Sequence, residues 1–238
     1  MALLISERRE QPWRRRLVLP MYQIKEAARY AHVSPKTVAA WHKTEGRSRL
    51  TLSQKGVGDA LSYLQLIEVA VVAAFRKWGL PLRRIQAARD YVAKELRTEF
   101  PFAAYRFKTD GKSLLMDYQQ IEGKKGKGKL LDATAKGQLA WDDIVGRRLM
   151  EFVYEGHGQA IKWHVAGTES PIVIDPQIAF GTPTISGTPT WVVRERWQAG
   201  ESIEDIGEDF ALKPRDVTRA LEFEGVTPDP ERHRTWVH

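Results

Sequence analysis

The sequence predicts an α+β fold that is mostly helical, and three observations support this class. Near both ends, apolar residues recur at helical spacing, which is typical of short helices with one buried face. A nearly continuous apolar stretch at 60–75 predicts a longer buried helix. Between the two ends, short apolar runs separated by glycine predict a few short strands.

The composition limits the classes of protein to which the chain can belong. Its 238 residues suffice for one large domain or two small ones, and its net charge of +7 suggests nucleic acid or an acidic surface as a partner. The absence of cysteine excludes disulfide scaffolds and zinc–cysteine sites, and it fits a cytoplasmic location. The N-terminus lacks the apolar core of a signal peptide. We expect no membrane span, because the stretch at 60–75 is too short and contains Glu68.

The most specific pattern is an apolar spacing that occurs twice, with steps of three, six, five and three residues in both copies. The first copy consists of Ile24, Ala27, Val33, Val38 and Trp41, and the second of Ile203, Ile206, Leu212, Val217 and Ala220. Three-residue steps place side chains on one helix face, whereas the six-residue step indicates a turn. A proline in each copy, Pro35 or Pro214, suits the first turn of the following helix. Each copy therefore predicts a helix-turn-helix.

Changes in composition divide the chain into five predicted segments. They are a basic arm (1–20), a winged helix-turn-helix domain (21–100), a connecting region of helix and strand (101–170), a C-terminal module of three helices that resembles a second helix-turn-helix (171–224) and a tail (225–238). The C-terminal module begins with an extended, Pro-, Gly- and Thr-rich stretch, and its three helices are expected to follow.

Helix signals and breakers order the N-terminal domain. Ser34 is a suitable N-cap for the second helix, and Gly46 would end that helix. Residues 47–53 would then form a short extended wing. Further helices are expected at 57–78 and 81–97, because a glycine and a proline interrupt the apolar pattern between them.

The connecting region has weaker patterns. Strands are expected in four short runs, namely 105–111, 113–118, 128–134 and 160–165. A helix is expected at 142–154. The basic segment 123–129 lacks the spacing of a phosphate-binding loop, so we interpret it as a solvated loop.

The two helix-turn-helix copies differ in charge. Residues 20–50 contain six basic and two acidic side chains, which gives +4, whereas residues 200–224 contain three basic and eight acidic ones, which gives −5. Because DNA affinity depends largely on neutralising phosphates, the first copy is predicted to bind DNA. The second is predicted to contact protein, or to be a plain three-helix core.

The residues expected at the DNA lie in three places. The second helix would enter the major groove, and Gln23 at the start of the first helix could bind phosphate. The candidates on and after the second helix are Ser34, Lys36, Thr37, Lys43, Arg47 and Arg49, and those of the arm are Arg14, Arg15 and Arg16. The arm could instead be a solvated tail. Trp41 is interpreted as a core residue and His42 as a surface residue.

Two segments resemble known families. Residues 21–97 resemble the MerR-like winged-helix domain in the sequence VSPKTVAAW, the wing after Gly46 and the long apolar helix. Residues 171–224 resemble the small family of unknown function found in VapB-type antitoxins, through IDPQIAFGTPTISGTPT, AGESIEDIGEDFAL and RDVTRAL. This resemblance implies an antitoxin that pairs with a PIN-like ribonuclease toxin and represses its own operon. Metal-responsive MerR regulators carry cysteines; with none here, we expect neither metal sensing nor a cofactor.

The expected partners are therefore operator DNA, a toxin protein and a second copy of the chain. The candidate toxin-binding residues are Glu204, Asp205, Glu208 and Trp236. The apolar helix at 57–78 could form the homodimer surface, pack inside the molecule under 81–97, or do both. A stand-alone transcription regulator, whose C-terminal module binds a ligand or another protein, is the alternative function.

An enzymatic role is the least favoured interpretation. The acidic and histidine side chains that could form a metal-dependent nuclease site are Asp142, Asp143, Glu151, Glu155, His157 and His164. Arg147 and Arg148 lie among them, which indicates ion pairing at the surface. We therefore expect no enzymatic activity.

Overall fold

A computed structural model describes residues 12–42, 52, 60–108, 110 and 141–228. The α+β class with mostly helical content is confirmed, and the strands form one five-stranded antiparallel sheet. Several predicted features lie outside the described residues. They are the wing except Leu52, the strands at 113–118 and 128–134 and the basic loop at 123–129.

Eight α-helices lie wholly within the described ranges, and residues 105–108 and 110 are helical as well. The eight helices are α1 (Ile24–Ala31), α2 (Pro35–Trp41), α3 (Tyr63–Lys77), α4 (Leu82–Leu96), α5 (Arg147–Met150), α6 (Thr190–Gln198), α7 (Ile203–Asp209) and α8 (Pro214–Phe223). Two 3-10 helices flank the N-terminal group, at Pro12–Leu17 and Pro101–Ala103, and a π-helix at Trp141–Gly146 leads into α5. None of these helices is long and apolar enough to cross a membrane.

The sheet is a meander in which each strand pairs with the next. Its strands are β1 (Phe152–Tyr154), β2 (Ala160–Trp163), β3 (Ile172–Ile174), β4 (Pro183–Ile185) and β5 (Thr188–Pro189). The strand predicted at 160–165 is therefore confirmed as β2. In the turn between β4 and β5, Ser186 and Gly187 both have positive φ, as a tight hairpin turn with the strand twist requires.

Helix α3 is the centre of the core. Every residue from Tyr63 to Phe75 is buried, and α3 contacts α1, α4, α5, the π-helix and both flanking 3-10 helices. Of the two roles considered for 57–78, internal packing is the one observed, and α3 leaves no apolar face for a dimer. The helix also starts later than predicted, because Leu61 forms a β-bridge with Tyr22.

An ion pair inside the core joins α3 to α4. Arg89 Nε donates to Glu68 Oε2 at 2.5 Å, and the Phe102 backbone N–H donates to Glu68 Oε1 at 2.7 Å. Arg89 also donates to the Glu99 carbonyl, at 2.5 Å. The buried carboxylate therefore has both of its oxygens satisfied, as a charge in a core requires.

Three expectations are wrong. The helix predicted at 142–154 ends at Met150, because Phe152 pairs with Trp163 in the sheet. Residues 105–108, predicted as a strand, are helical, and the Phe107 ring packs 4.8 Å from that of Phe102. His42, expected at the surface, is 3% exposed, with Nδ1 2.8 Å from the Val38 carbonyl oxygen.

Candidate nucleic-acid and protein interfaces

Helices α1 and α2 are joined by a tight turn, and local hydrogen bonds fix both ends of that turn. The Gln23 N–H donates to Glu26 Oε2 at 2.7 Å, which starts α1. Helix α1 ends at Ala31, and the next residue, His32, has the left-handed backbone conformation with φ of 55°. The Val33 N–H then donates to the Ala28 carbonyl at 2.9 Å. Val38 and Trp41 are buried, so the core positions of the apolar spacing are confirmed here.

The start of α2 shows which of its polar side chains are available for a ligand. The Thr37 N–H donates to Ser34 Oγ at 3.1 Å, so Ser34 is the predicted N-cap, and the two hydroxyl oxygens lie 2.8 Å apart. Because these hydroxyls bond each other, they would have to leave the cap to reach a base edge. Lys36 is exposed beside them, and it is the basic side chain of α2.

The other predicted DNA contacts are spread over the chain. Gln23 is exposed at the start of α1, and Lys43, Arg47 and Arg49 lie outside the described residues. Arg29, counted in the positive charge of the first copy, points at the C-terminal helices instead.

Arg14, Arg15 and Arg16 belong to the 3-10 helix Pro12–Leu17, so this part of the predicted arm is folded against the domain. Arg14 forms an ion pair of 2.7 Å with Glu155, between β1 and β2. Arg16 Nη1 donates to the Pro176 carbonyl at 3.1 Å, and its guanidinium lies 4.6 Å from the centre of the Phe180 ring. Arg15 is exposed.

Helices α1 and α8 contact each other through charge and aromatic stacking. Arg29 Nη1 lies 2.9 Å from Glu224 Oε2, and the Glu224 side chain is 3% exposed. The Tyr30 and Phe223 rings stack with centres 6.2 Å apart, and the Arg29 guanidinium lies 5.1 Å from each centre. The two copies of the apolar spacing are thus joined in the folded chain.

Glu224 also receives hydrogen bonds from the start of α6. Thr190 Oγ1 donates to Glu224 Oε1 at 2.6 Å, and Arg194 lies 3.4 Å from Oε2. Burial alone would raise the pKa of Glu224, but the hydrogen bonds from Arg29 and Thr190 and the charges of Arg29 and Arg194 outweigh it and hold the pKa below its usual range. Sequence reasoning missed this cluster, since no local pattern relates Arg29 to a carboxylate 195 positions away.

The acidic side chains of α7 and of Glu201, which precedes it, divide into two groups. Arg196 binds Glu201 and Asp209, which removes these two acids from the negative surface. Glu204, Asp205 and Glu208 are exposed, although Asp205 also accepts a hydrogen bond of 2.6 Å from Ser202 Oγ. These three predicted toxin contacts therefore remain on one exposed helix, whereas Trp236 lies outside the described residues.

Three of the acidic side chains considered for a nuclease site each have a different arginine partner. Asp143 binds Arg147 at 3.2 Å and Glu155 binds Arg14 at 2.7 Å. Glu151 binds Arg148 at 2.6 Å, and the Trp163 indole N–H also donates to it, at 2.9 Å. Among the described residues, no group of three or more His, Asp or Glu side chains is placed to hold a metal ion.

The amino-acid sequence is similar to known proteins. Residues 172–223, from β3 to the end of α8, match a family described as "Protein of unknown function (DUF433)". Over 228 aligned residues the chain is 25% identical to a protein of Mycobacterium tuberculosis (strain ATCC 25618 / H37Rv) named "Putative antitoxin VapB45", and the alignment covers 87% of this chain and 95% of that protein.

The fold is also similar to that of a solved structure. The crystal structure of Rv2018 from Mycobacterium tuberculosis superposes with a TM-score of 0.69, covering 87% of this chain and 99% of that one at 21% identity. The likeness at this identity concerns the fold alone.

Proposed function

We propose that the protein is the antitoxin of a type II toxin–antitoxin system, which neutralises a PIN-like ribonuclease toxin and represses its own operon. The observation that carries this proposal is the similarity to the VapB45 relative along almost the full length of both chains. The match of residues 172–223 to the family of unknown function supports it, because the same stretch resembles VapB-type antitoxins in sequence. We call residues 172–223, which hold β3–β5 and α6–α8, the C-terminal unit.

DNA binding is assigned to α1 and α2, which we propose to be the helix-turn-helix of a MerR-like winged domain. The support is the capped turn, the exposed Lys36 at the start of the second helix and the net positive charge of residues 20–50. The wing would be residues 47–53. Operators of this kind are usually palindromic, so we expect a homodimer whose contacts lie outside α3.

Toxin binding is assigned to the C-terminal unit. The support is its opposite charge, since the exposed carboxylates of α7 would repel DNA but can pair with basic side chains of a protein. The protein would act by binding alone, without a cofactor or an enzymatic step.

Co-expression tests this function. The reading frame next to this gene, expressed alone from an inducible promoter, should stop growth of the host, and co-expression of this chain should restore growth. A variant of the neighbour without nuclease activity is the control for non-specific toxicity. Harmless expression of the neighbour, together with its absence from the purified chain, would leave a stand-alone regulator as the better interpretation.

A further inference from the structure

A left-handed turn after β3 exposes an aromatic side chain. Ala179, Phe180 and Gly181 are consecutive residues with φ of 45°, 53° and 75°. Two of them are not glycine, and such residues in the left-handed region cost free energy that the surrounding contacts must offset. Backbone strain of this kind is concentrated at functional sites, so the side chain that it exposes is a candidate for a function.

Two residues of the N-terminal segment hold this turn in place. Burial raises the pKa of Tyr22, so its hydroxyl stays protonated and donates to the Gly181 carbonyl at 3.0 Å. The fit there is tight, because a Cβ on Gly181 would lie 2.2 Å from Tyr22 Oη. Arg16 donates to the Pro176 carbonyl and stacks on the Phe180 ring. These contacts within the chain favour one position of the turn and of the Phe180 ring before a partner binds.

Phe180 is 70% exposed, the largest value among the large apolar side chains that the structure describes. Val18 and Leu19, 55% and 50% exposed, lie between Arg16 and Tyr22, which both contact this turn. Ile178, within the turn segment, is 36% exposed. We call these four residues the Phe180 surface. An exposed apolar group of this kind, next to a rigid aromatic ring, is typical of a protein interface.

The charge at its edge indicates the chemistry of the partner. Arg15 is exposed, so the 3-10 helix presents a positive charge beside the apolar side chains, whereas Arg14 is paired with Glu155. A protein with an apolar cleft and carboxylates at its rim would match both features. A DNA duplex would complement only the positive charge. Its charged phosphate backbone would lie against the apolar side chains of Val18, Leu19 and Phe180.

We propose that the Phe180 surface is a docking site for the toxin, with Phe180 inserted into an acidic-rimmed apolar cleft of that protein. This inference rests on the proposed function and assigns the toxin a contact surface other than the acidic face of α7. A pre-positioned aromatic side chain loses little conformational freedom on binding, which is why such residues often dominate an interface.

Phe180→Asn tests the proposal, because asparagine tolerates the left-handed region and should preserve the turn. Met150→Gln is the matched control, since Met150 is also apolar and is 61% exposed on α5. The probe is the purified product of the neighbouring reading frame, titrated by calorimetry. Phe180→Asn should weaken binding by about thirtyfold or more, whereas Met150→Gln should change it less than about twofold.

The outcomes separate this proposal from the proposed function. Absence of binding by the unaltered chain would overturn both. Binding by the unaltered chain and equally by Phe180→Asn would overturn the docking surface and leave the antitoxin function standing. If Phe180→Asn no longer bound the promoter fragment of this gene but still bound the toxin, the Phe180 surface would be assigned to DNA, and the proposal would be overturned as well.

Arg15→Glu should lower the association rate with the toxin by about tenfold at low salt.

Discussion

Lys36 is the side chain of α2 that is best placed to test DNA binding. It is exposed beside the Ser34 cap, and its counterpart in the second copy of the apolar spacing is Arg215, one residue after Pro214. Lys36→Ala should weaken binding to the promoter fragment by about tenfold, because a phosphate or base contact is lost. The slope of log affinity against log salt should fall by about one unit if the contact is to phosphate.

Arg215→Ala is the matched control, since it removes the same charge at the equivalent helix position, where the side chain is 68% exposed. It should leave DNA affinity and its salt dependence almost unchanged, and so should Glu204→Gln. Titration of a labelled promoter fragment at several salt concentrations measures both quantities. Equal losses from Lys36→Ala and Arg215→Ala would contradict the assignment of DNA binding to the first copy.

Glu224 gives a prediction about pH. Its pKa is lowered in the folded chain, so its stabilising contribution is complete above the pKa of the unfolded chain, about 4.3, and is lost as the pH falls through the lower folded value. Glu224→Gln should therefore destabilise the protein at pH 7 by about 1–3 kcal/mol and by much less near pH 3.

Urea unfolding at the two pH values measures this difference. Glu222→Gln is the control, since Glu222 is exposed on the same helix and should change the free energy of unfolding by less than about 0.5 kcal/mol at either pH. A pH-independent effect of Glu224→Gln would show that Arg29 and Arg194 do not stabilise the carboxylate in the folded state.

Among the elements, the left-handed turn at 179–181 depends most on close packing. Gly181→Ala should cost about 3 kcal/mol, because it combines a positive φ with a collision against Tyr22. Gly187→Ala should cost only about 1 kcal/mol, since Gly187 also has positive φ but has nothing within 4 Å of the added Cβ.

Chemical denaturation of both variants measures these costs, and Tyr22→Phe in the Gly181→Ala background should recover part of the larger one. Similar costs for the two alanine variants would mean that the contact between Tyr22 and Gly181 does not constrain the turn.

Helices and turns that depend on neighbouring residues in the sequence could be predicted. Elements that depend on contacts between residues far apart in the sequence could not. The turn between α1 and α2 follows from the apolar spacing, and the start of α2 follows from Ser34 and Pro35, all within a few residues. The end of α2 was not predicted, because the helix stops at Trp41 and not at the expected Gly46. Apolar residues continue at helical spacing through Val145, Leu149 and Phe152, so a longer helix was the natural expectation. The chain turns into β1 because Phe152 packs edge-to-face on Trp163, which no local pattern encodes.

At the scale of the whole molecule, charge and composition predicted a division into two helical units but not how they meet. The candidate surface residues Lys36, Glu204 and Glu208 could be named because exposure follows from amphipathic spacing. The placement of Arg29 against Glu224 and of Arg16 against Phe180 depends on contacts between segments more than 150 positions apart. For this reason the arginines of the arm were expected at DNA or in a solvated tail, and not against the folded chain.

The contacts between the N-terminal and C-terminal helical units affect how the protein unfolds. Since Arg29 and Tyr30 of α1 contact Glu224 and Phe223, and one continuous core cluster includes residues of both units, we expect them to unfold together. Urea unfolding followed by tryptophan fluorescence and by helix circular dichroism should give coincident transitions. Two separated transitions would contradict a single cooperative body.

The central claim is that this chain neutralises a ribonuclease by binding it. The most direct measurement is the RNA cleavage rate of the purified neighbouring gene product, titrated with this chain at concentrations well above the expected dissociation constant. The antitoxin function predicts that cleavage falls linearly and stops at a fixed, small molar ratio, and that denatured chain has no effect. Cleavage that continues unchanged in a large excess of the folded chain would contradict the claim.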